Sequence, residues 1–397
     1  MKNVKKKIRI ALICFDNPFL KPVEGGKRAM FSRLRSLALM ADDYEVDVYL
    51  HNKRSEGMAG DFGELGKCMN IRQYPMNRNT RCLIGCMPIC VSKRYVADCV
   101  NDLQSKQYDV AIYEGEQVAK YRLKNVARAK YHIIYMHDIE SAYRMEIACS
   151  HPKPLLRLGN WLEALRFKRI EQCIHGKFDR IWFISKEECK YFGAATGALG
   201  KCTYMPFPAM EIGDYIAQGN AANRMLYVGD MSVQHNYLSV EWFAREVLPK
   251  IRQTCPGAEF MTVGRISDEN AEKLRALGAN VCGYVDDLDA AYEEAACIAV
   301  PVLYGAGVKV KIIDALARGQ IVVTTSKGIE GTELQPGRHL IVEDDAVWLA
   351  EICAGILSDR AAYRHLSEDG LAFIRSEHTV AHQAEIMDRE IRLLMHR

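Results

Sequence analysis

The sequence has no long apolar segment, and this absence limits where the chain can work. No run reaches the roughly 18 apolar residues that a membrane-spanning helix needs. The apolar run near the start covers only Ile10 to Phe15 and ends at Asp16. We therefore expect a first β-strand there and not the apolar core of a secretory signal. Low-complexity tracts and internal repeats are also lacking, and we expect a cytoplasmic globular protein.

The 14 cysteines have the spacing of neither a disulfide framework nor a zinc site. They are scattered along the chain, and without a secretory signal we expect reduced thiols. Cys82, Cys86 and Cys90 recur every four residues, but no CxxC pair and no nearby histidine accompany them. Pro88 interrupts the helix that would align them. We expect small buried apolar side chains at these positions and no metal.

The chain also lacks the glycine pattern of dinucleotide-binding oxidoreductases. The segment after the first strand reads FDNPFLKPVEGG and contains no GxGxxG, which that class needs between its first strand and first helix. An oxidoreductase of this type is therefore excluded. The length favours two domains, each large enough to bury a core of its own.

Charge is unevenly divided along the chain. Residues 1–220 carry 35 Lys and Arg against 24 Asp and Glu, a net charge of +11, whereas the rest carries 18 against 26, or −8. A basic half should face an anionic partner: a membrane surface, a lipid phosphate or a nucleic acid. The acidic second half and the lack of clustered aromatic and basic residues exclude a nucleic acid as the expected partner.

Two apolar segments of the basic half have basic residues at their edges. One is the run Leu83 to Val91, between Arg81 and the pair Lys93 and Arg94. The other is the predicted helix Pro154 to His175, which has near one face Leu155, Leu158, Trp161, Leu162 and Leu165. Two interpretations of this helix stay open: core packing with a solvated basic face, or peripheral docking on the inner face of an anionic membrane.

Buried strands alternate with helices along the whole chain. Continuous apolar runs such as IALIC, IWFIS, CIAVP and IVVTT are typical of strands buried on both faces of a parallel sheet. The alternation restarts after Pro208 and a polar, glycine-bearing segment that reaches Asn223, which is the best linker candidate. We predict an α/β protein with two Rossmann-like domains facing across a cleft.

The stretch from Val300 to Gly331 has the pattern of a phosphate site. It reads VPVLYGAGVKVKIIDALARGQIVVTTSKGIEG: a buried strand, a Gly-x-Gly turn, a helix and a second buried strand. Such a β-α-β unit directs backbone N–H groups and the positive end of the helix at one point. Lys309 and Lys311 add positive charge there. The pattern predicts a nucleotide or another phosphorylated ligand; an ordinary tight turn with solvated lysines is the alternative.

The chain resembles the family 4 retaining glycosyltransferases of the group 1 type, which have the two-domain GT-B fold. In the second half, YVGDMSVQHN, EWFAREVLPKIR, FMTVGR, VCGYVDDLDAAYEEA and the 300–331 stretch follow in the family's order. EGG at 24–26, HDIES at 137–141 and FISKEE at 183–188 match in the first half. The resemblance implies an acceptor-binding domain over 1–209, a donor-binding domain over 222–375, and a C-terminal helix within 376–397 that packs back on the first domain.

The activity that the resemblance implies is transfer of a hexosyl group from a nucleotide-diphosphate sugar to a glycan or lipid-linked acceptor. Retention of configuration and a place in cell-surface polysaccharide or glycoconjugate biosynthesis come with it. No metal is expected, because lysines and helix ends can stabilise the phosphates. No cofactor is expected either; the nucleotide sugar is a co-substrate.

The resemblance also implies two groups of site residues. The catalytic residues would be His137 and Lys311. The donor-binding residues would be Gly25, Gly26, Gly305, Gly307, Val308, Lys309, Asp314 and Glu330. The glycine loop and Lys311 would stabilise the negative charge that grows on the leaving diphosphate.

The family's pair of glutamates, separated by seven residues, is incomplete in this chain. The second position corresponds to Asp314, which we expect to accept hydrogen bonds from ribose hydroxyls; a plain surface acid is the alternative. The first position corresponds to Ala306, which has no carboxylate. In the family that carboxylate contacts the donor sugar, so its absence bears on which sugar is used.

For the other site residues, a purely structural role is the alternative. His137 ends an apolar strand at the edge where active sites form, and it would orient substrate or handle its proton; a structural histidine is the alternative. Gly25 and Gly26 would let the backbone approach a sugar phosphate, with Lys27 and Arg28 beside them; a flexible helix start is the alternative. Glu330 binds substrate or is a loop acid.

The turn after the first strand of the second half departs from many relatives, which have a basic residue and a lysine there. This chain has Asp230 and Asn236, and we predict that Asn236 is the N-cap of the following helix. Two rivals to a glycosyltransferase follow from the same resemblance. One is a nucleotide-sugar epimerase on the same fold, and the other is a catalytically silent partner subunit, motivated by Ala306.

Overall fold

A computed structural model describes residues 6–20, 25–78, 87–150, 153–209, 212–213, 221–285, 287–305 and 307–396. The chain divides into two compact units. The first domain comprises Met1–Pro208 together with Val380–Arg397, and the second comprises Ala209–Thr379. Each is an α/β domain built on one parallel sheet.

Seven parallel strands form the sheet of the first domain. They are β1 (Ile8–Cys14), β2 (Tyr44–Asn52), β3 (Met69–Pro75), β4 (Tyr108–Glu114), β5 (Ala129–Met136), β6 (Arg180–Phe183) and β7 (Cys202–Tyr204). The helices between them are α1 (Gly25–Leu39), α2 (Leu65–Cys68), α3 (Ile89–Arg94), α4 (Ala97–Gln104), α5 (Lys120–Leu123), α6 (Glu140–Ser150), α7 (Pro154–Lys177) and α8 (Lys186–Thr196). The strand order is β3-β2-β1-β4-β5-β6-β7.

Six parallel strands form the sheet of the second domain. They are β8 (Ala221–Val228), β9 (Glu259–Val263), β10 (Asn280–Gly283), β11 (Ala295–Val300), β12 (Val322–Thr324) and β13 (Ile341–Val342), in the order β10-β9-β8-β11-β12-β13. Its helices are α9 (Gln234–Trp242), α10 (Leu248–Thr254), α11 (Asp268–Ala276), α12 (Leu288–Glu294), α13 (Val310–Ala317), α14 (Ala346–Ser358) and α15 (Arg364–Glu377). A π-helical turn, Phe243–Val247, joins α9 to α10.

The last helix, α16 (Val380–Met395), returns to the first domain and lies against α1. Its buried apolar residues are Ala384, Ile386, Met387, Ile391 and Leu394, which follow the helical period except for Ile386. Ser36 of α1 donates a hydrogen bond from its hydroxyl to the Gln383 side chain at 3.0 Å. Apolar burial and polar contacts therefore both attach the end of the chain to the first domain.

In both sheets the strand order reverses between the first and the fourth strand of the domain. β1 lies beside β4 in the first domain, and β8 lies beside β11 in the second. In an open parallel sheet, ligands bind outside the carboxyl ends of the strands at such a switch point. All six residues of β11 are buried, as expected for a strand covered by helices on both faces.

The two-domain α/β prediction is confirmed, but several elements were missed. β3 is a polar edge strand in which only Met69 and Tyr74 are buried, so it lacks an apolar run. β7 and β13 are three and two residues long, too short for a pattern. The sequence pattern from Ser92 to Ser105 predicts one helix, which is wrong, because two helices, α3 and α4, flank residues 95–96.

No helix in the described parts of the chain combines the length and the apolar character needed to cross a membrane.

Candidate active site

The switch point of the second domain lies where β8 and β11 end side by side. β8 is followed by Gly229 and Asp230, and β11 by the loop that leads into α13. Within this loop Gly305 and Gly307 have φ values of 101° and 77°. That left-handed region is strained for any residue with a side chain. The Gly-x-Gly turn is thus required by the backbone that joins β11 to α13, and the intervening Ala306 lies outside the described residues.

Lys311, in the first turn of α13, reaches back to the end of β8. Its ammonium donates hydrogen bonds to the Tyr227 hydroxyl at 2.8 Å and to Asn236 Oδ1 at 2.7 Å. It also lies 4.9 Å from the centroid of the Tyr227 ring, within the range of a cation–π contact. Across the described residues no carboxylate forms an ion pair with Lys311. The charge is therefore held by neutral groups.

The surroundings of Lys311 disfavour its charged form. Burial, followed by the nearby charge of Lys309, lowers the pKa of Lys311 from its ordinary 10.5 to about 7, against a smaller opposing effect of Asp230. A bound anion would reverse this shift, because an opposite charge within a few ångströms favours the ammonium form. A phosphate bound beside Lys311 would therefore favour uptake of a proton by this side chain.

Asn236 orients this group and does not cap its helix. Its Nδ2 donates to the backbone oxygen of Asp230 at 2.8 Å, which turns Oδ1 toward Lys311. The helix α9 begins two residues earlier, with Val233 at the N-cap position. The prediction of an N-cap is therefore wrong, because the turn after β8 enters the helix sooner than the capping pattern indicated. Asn236 and Tyr227 are site residues that the sequence interpretation missed.

Lys309 stabilises the loop itself. Its ammonium donates to the backbone oxygens of Gly305 and Gly307 at 2.8 and 2.7 Å. Val308 precedes it, and Lys309 is the N-cap residue of α13. The two lysines therefore have different roles. Lys309 stabilises the turn, whereas Lys311 extends to the switch point.

Asp314 lies one turn beyond Lys311 on α13 and is only 7% exposed. This burial argues against the plain surface acid. Glu330 lies in the loop after the turn Ser326–Gly328 that follows β12, and it pairs with Lys327 at 2.8 Å with 47% of its side chain exposed. Glu330 thus has a basic partner within the loop.

The switch point of the first domain contains a charged group of a different kind. Glu114 is the last residue of β4, and His137 directly follows β5, so both lie at the carboxyl edge. Arg33 Nε donates to Glu114 Oε1 at 2.9 Å, and His137 Nε2 lies 3.0 Å from Glu114 Oε2. The guanidinium of Arg33 also lies 3.5 Å from the centroid of the Tyr135 ring. Glu114 thus joins the predicted His137 to α1.

Glu114 stays ionised although it is completely buried. Burial by itself would raise the pKa of Glu114, but the charge of Arg33 and the contacts with His137 outweigh it, so this pKa lies below its ordinary value. Neither Arg33 nor Glu114 was predicted. A charged residue at the end of the apolar strand DVAIYE, and an arginine between the apolar residues of a helix, are the signals that could have found them.

Gly25 and Gly26 are the first residues of α1, although the apolar pattern of the sequence predicts a helix that begins only at Lys27. A Cβ on Gly26 would lie 3.2 Å from the Phe15 ring, so the small residue allows a close approach of α1 to the end of β1. Lys27 is almost completely buried and pairs with Glu56 at 3.1 Å and Asp16 at 3.8 Å. Its charge is neutralised within the domain, although the glycines beside it are predicted to approach a sugar phosphate.

Among the described residues, no three His, Cys, Asp or Glu side chains come together in a way that could hold a metal ion. Of the three regularly spaced cysteines, Cys90 lies half-buried on α3. Cys82 and Cys86 lie outside the described residues.

Comparison with known proteins identifies the kind of fold that carries these groups. Residues 222–359 match the family model described as Glycosyl transferases group 1. A protein of Klebsiella pneumoniae, described as an uncharacterized 44.6 kDa protein in the cps region, is 25% identical over 285 residues, which are 69% of this chain and 72% of that one.

Solved structures similar to nearly the whole chain include the following two. Sucrose-phosphate synthase from Thermosynechococcus elongatus superposes with a TM-score of 0.72 at 18% identity, over 98% of this chain and 99% of that one. The Anabaena protein Alr3699/HepE, solved in complex with UDP-glucose, gives a TM-score of 0.65 at 13% identity, over 97% and 99% of the two chains. The fold is that of the GT-B glycosyltransferases, as predicted.

Proposed function

We propose that this chain, whose second domain matches the family model Glycosyl transferases group 1, transfers a hexosyl group from a nucleotide-diphosphate sugar to a glycan or lipid-linked acceptor. The observation that carries the proposal is the Lys311 ammonium at the switch point of the second domain, held by Tyr227 and Asn236 with no carboxylate partner among the described residues. A diphosphate would supply the missing negative charge.

The proposed mechanism assigns the leaving group to the second domain. As the bond between the sugar and the diphosphate breaks, negative charge grows on the phosphate oxygens. Lys311 stabilises that charge, and the loop of Gly305, Gly307 and Val308 brings backbone N–H groups to it, with Lys309 fixing the turn. Because fixed donors need no reorganisation during the reaction, they lower the barrier more than water would. No metal is needed for this role.

Two carboxylates of the second domain, Asp314 and Glu330, are proposed as further donor contacts. Asp314 is buried on the helix that carries Lys311, and it would accept hydrogen bonds from the ribose hydroxyls. Glu330 follows the strand next to β11 and would contact the donor through its exposed carboxylate. The position of Ala306, without a carboxylate, would leave part of the sugar to be recognised by other groups.

The first domain is proposed to bind the acceptor. His137, supported by the ionised Glu114, would orient the acceptor hydroxyl and receive its proton. Gly25 and Gly26 would allow the start of α1 to approach a sugar phosphate. Retention of configuration, and a role in cell-surface polysaccharide or glycoconjugate biosynthesis in the cytoplasm, complete the proposal. Peripheral contact of the basic first domain with the inner face of an anionic membrane is part of it.

A panel of UDP-, GDP- and ADP-sugars tests the donor. Purified protein is titrated calorimetrically with each one, and nucleotide release is measured with and without acceptor glycans. We expect binding of one nucleotide class and release that depends on an acceptor. Lys311→Gln should lose both, and Lys273→Gln, an exposed lysine on α11 paired with Glu269, is the control. If no nucleotide sugar binds, the proposal is wrong.

The two rivals give different results in the same experiment. An epimerase would convert the nucleotide sugar without an acceptor, which NMR of the sugar signals detects. A silent partner subunit would bind the nucleotide sugar without any turnover, across all acceptors offered. For an active transferase, the anomeric proton coupling of the product would report retention or inversion.

A further inference from the structure

The long helix α7 has an apolar face that points away from the core of its domain. The side chains that it buries are Ala164, Phe167, Ile170, Glu171 and Ile174. The opposite side, at helical spacing, consists of Leu155, Leu158, Trp161, Leu162 and Leu165, which we call the α7 outer face. These five side chains are 80%, 53%, 44%, 42% and 39% exposed. The helix is therefore apolar on two opposite sides, and only one of them is used for folding.

This exposure is concentrated in one place. Together with Leu156, six large apolar side chains are exposed within residues 155–165. Elsewhere in the described sequence, exposed large apolar side chains occur singly along the chain or, at Val347 and Trp348, as one adjacent pair. Contiguous apolar patches on soluble domains mark surfaces that dock on something else.

The exposed charges of α7 and of the residue before it are all basic. They belong to Lys153, Arg157, Lys168, Arg169 and Lys177. The first domain as a whole carries 38 Lys and Arg against 25 Asp and Glu, a net charge of +13. The surroundings of the outer face are thus complementary to an anionic surface.

The two carboxylates of α7 are turned inward and used by the protein. Glu163 accepts a hydrogen bond from the backbone N–H of Ile89 at 3.0 Å and forms an ion pair with Arg166. Glu171 is buried and accepts hydrogen bonds from the backbone N–H and the hydroxyl of Ser141, at 2.9 and 2.7 Å. No exposed acid on α7 therefore opposes binding to negative charge.

We propose that the α7 outer face docks on the surface of an anionic lipid bilayer. The helix lies in the plane of the interface, with its leucines at the boundary between headgroups and acyl chains. Trp161 takes the interfacial position that tryptophan favours, and Lys168 and Arg169 bind lipid phosphates. The inference specifies the membrane contact proposed above, and it does not rest on sugar transfer because lipid binding is measured without a nucleotide sugar.

A second copy of the chain fits this surface less well. A two-fold dimer brings the same surface of both copies together. Lys168 and Arg169 of one copy would then face the same basic neighbourhood of the other, with no exposed carboxylate on α7 to pair with them. A bilayer that contains phosphatidylglycerol offers both the apolar layer and the negative charge.

Vesicle flotation with the full chain tests the proposal. The vesicles consist of phosphatidylcholine alone or of phosphatidylcholine with phosphatidylglycerol. We expect the protein to float with the anionic vesicles only, and high salt to weaken the binding because the phosphate contacts are screened. Vesicles with brominated acyl chains should quench tryptophan emission. Trp161→Phe should lose this quenching, whereas Trp348→Phe, which removes an exposed tryptophan of the second domain, should keep it.

Two variants separate the apolar and the charged contributions. Leu158→Ser with Leu162→Ser should weaken the partition onto anionic vesicles about tenfold or more, because apolar burial drives insertion. Lys168→Glu with Arg169→Glu should weaken it by about tenfold or more as well, since each basic residue near the surface contributes to binding. Val347→Ser with Trp348→Ser is the matched control and should bind as the wild type does. Circular dichroism verifies that each variant is folded.

Several outcomes would overturn the inference. Absence of binding to anionic vesicles would do so, as would equal binding to neutral vesicles or unchanged binding of both α7 variants. A wild-type dimer in sedimentation velocity that becomes a monomer with the leucine variant would assign the face to self-association instead. Donor binding in the nucleotide-sugar panel is independent of all these results, so failure of one proposal leaves the other measurable.

Discussion

The two domains share a strand order, but the cations at their switch points have different partners. In the first domain Arg33 is completely buried and paired with the ionised Glu114, which also contacts His137. In the second domain Lys311 is held by a phenol and an amide oxygen. A cation paired inside the protein is needed by its buried carboxylate, whereas a cation left to neutral partners is available to an anionic ligand.

The largest effect that distinguishes the two sites is on stability. Arg33→Met leaves Glu114 as a buried carboxylate without its main cation, and we expect the free energy of unfolding to fall by about 3–5 kcal/mol. Denaturant melts measure this change. Arg35→Met on the same helix, at an exposed position, is the control and should change stability by about 0.5 kcal/mol or less. If Arg33→Met were as stable as the wild type, Glu114 would not depend on Arg33.

Lys311→Met should increase stability and decrease activity. It replaces an ammonium that has no carboxylate partner in the described parts of the chain by an apolar side chain of similar length, so stability should rise at pH values where wild-type Lys311 is charged. Transfer activity should fall about 10²–10³-fold, the usual loss when one donor to a developing anion is removed. Thermal melts and steady-state rates measure the two changes. Unaltered activity would remove Lys311 from the leaving-group role.

The affinity for UDP, or for whichever nucleoside diphosphate binds, should depend on pH through Lys311. The pKa of about 7 in the free protein rises when a diphosphate is bound, so binding takes up a proton above pH 7. Affinity should therefore be highest below about 7 and fall as pH rises, by at most about tenfold per pH unit. Calorimetry across this range measures it, and Lys311→Gln should show a flat profile.

The smallest expected effect is at Asp314. Asp314→Asn keeps the size of the side chain but weakens its hydrogen bonds from the ribose, so the Kd for the nucleotide should rise about tenfold, or roughly 1–2 kcal/mol. Activity at saturating donor should change little. A loss of kcat with unchanged Kd would instead place Asp314 at the reacting sugar.

Strong local patterns predicted a large part of the fold and of the second-domain site. Runs such as IALIC and CIAVP indicated parallel strands because a strand buried on both faces must be continuously apolar. The Gly305 and Gly307 turn was readable because its backbone excludes other residues. Lys311 was predicted because it follows that turn on the same helix. These predictions needed only neighbours along the chain.

The missed residues depend on partners that are far away in sequence. Glu114 is stabilised by Arg33, which lies 81 residues earlier in the chain. Tyr227 contacts Lys311, which lies 84 residues later. Lys27 lies beside the glycines that were predicted to approach a phosphate, but ion pairs with Glu56 and Asp16 neutralise its charge. No local pattern records these pairings, because the return of each strand to the same sheet edge brings the residues together.

The sequence by itself determined the alternation of strands and helices, the glycine turn with its lysines, and the uneven charge, because each depends on local composition. Only the tertiary structure decided which cations are neutralised and which apolar helix face is left outside. Helix α7 has apolar residues on two sides, and periodicity cannot tell which side the core covers. Burial, which depends on the packing of the whole domain, distinguishes the folding face from the face available to a partner.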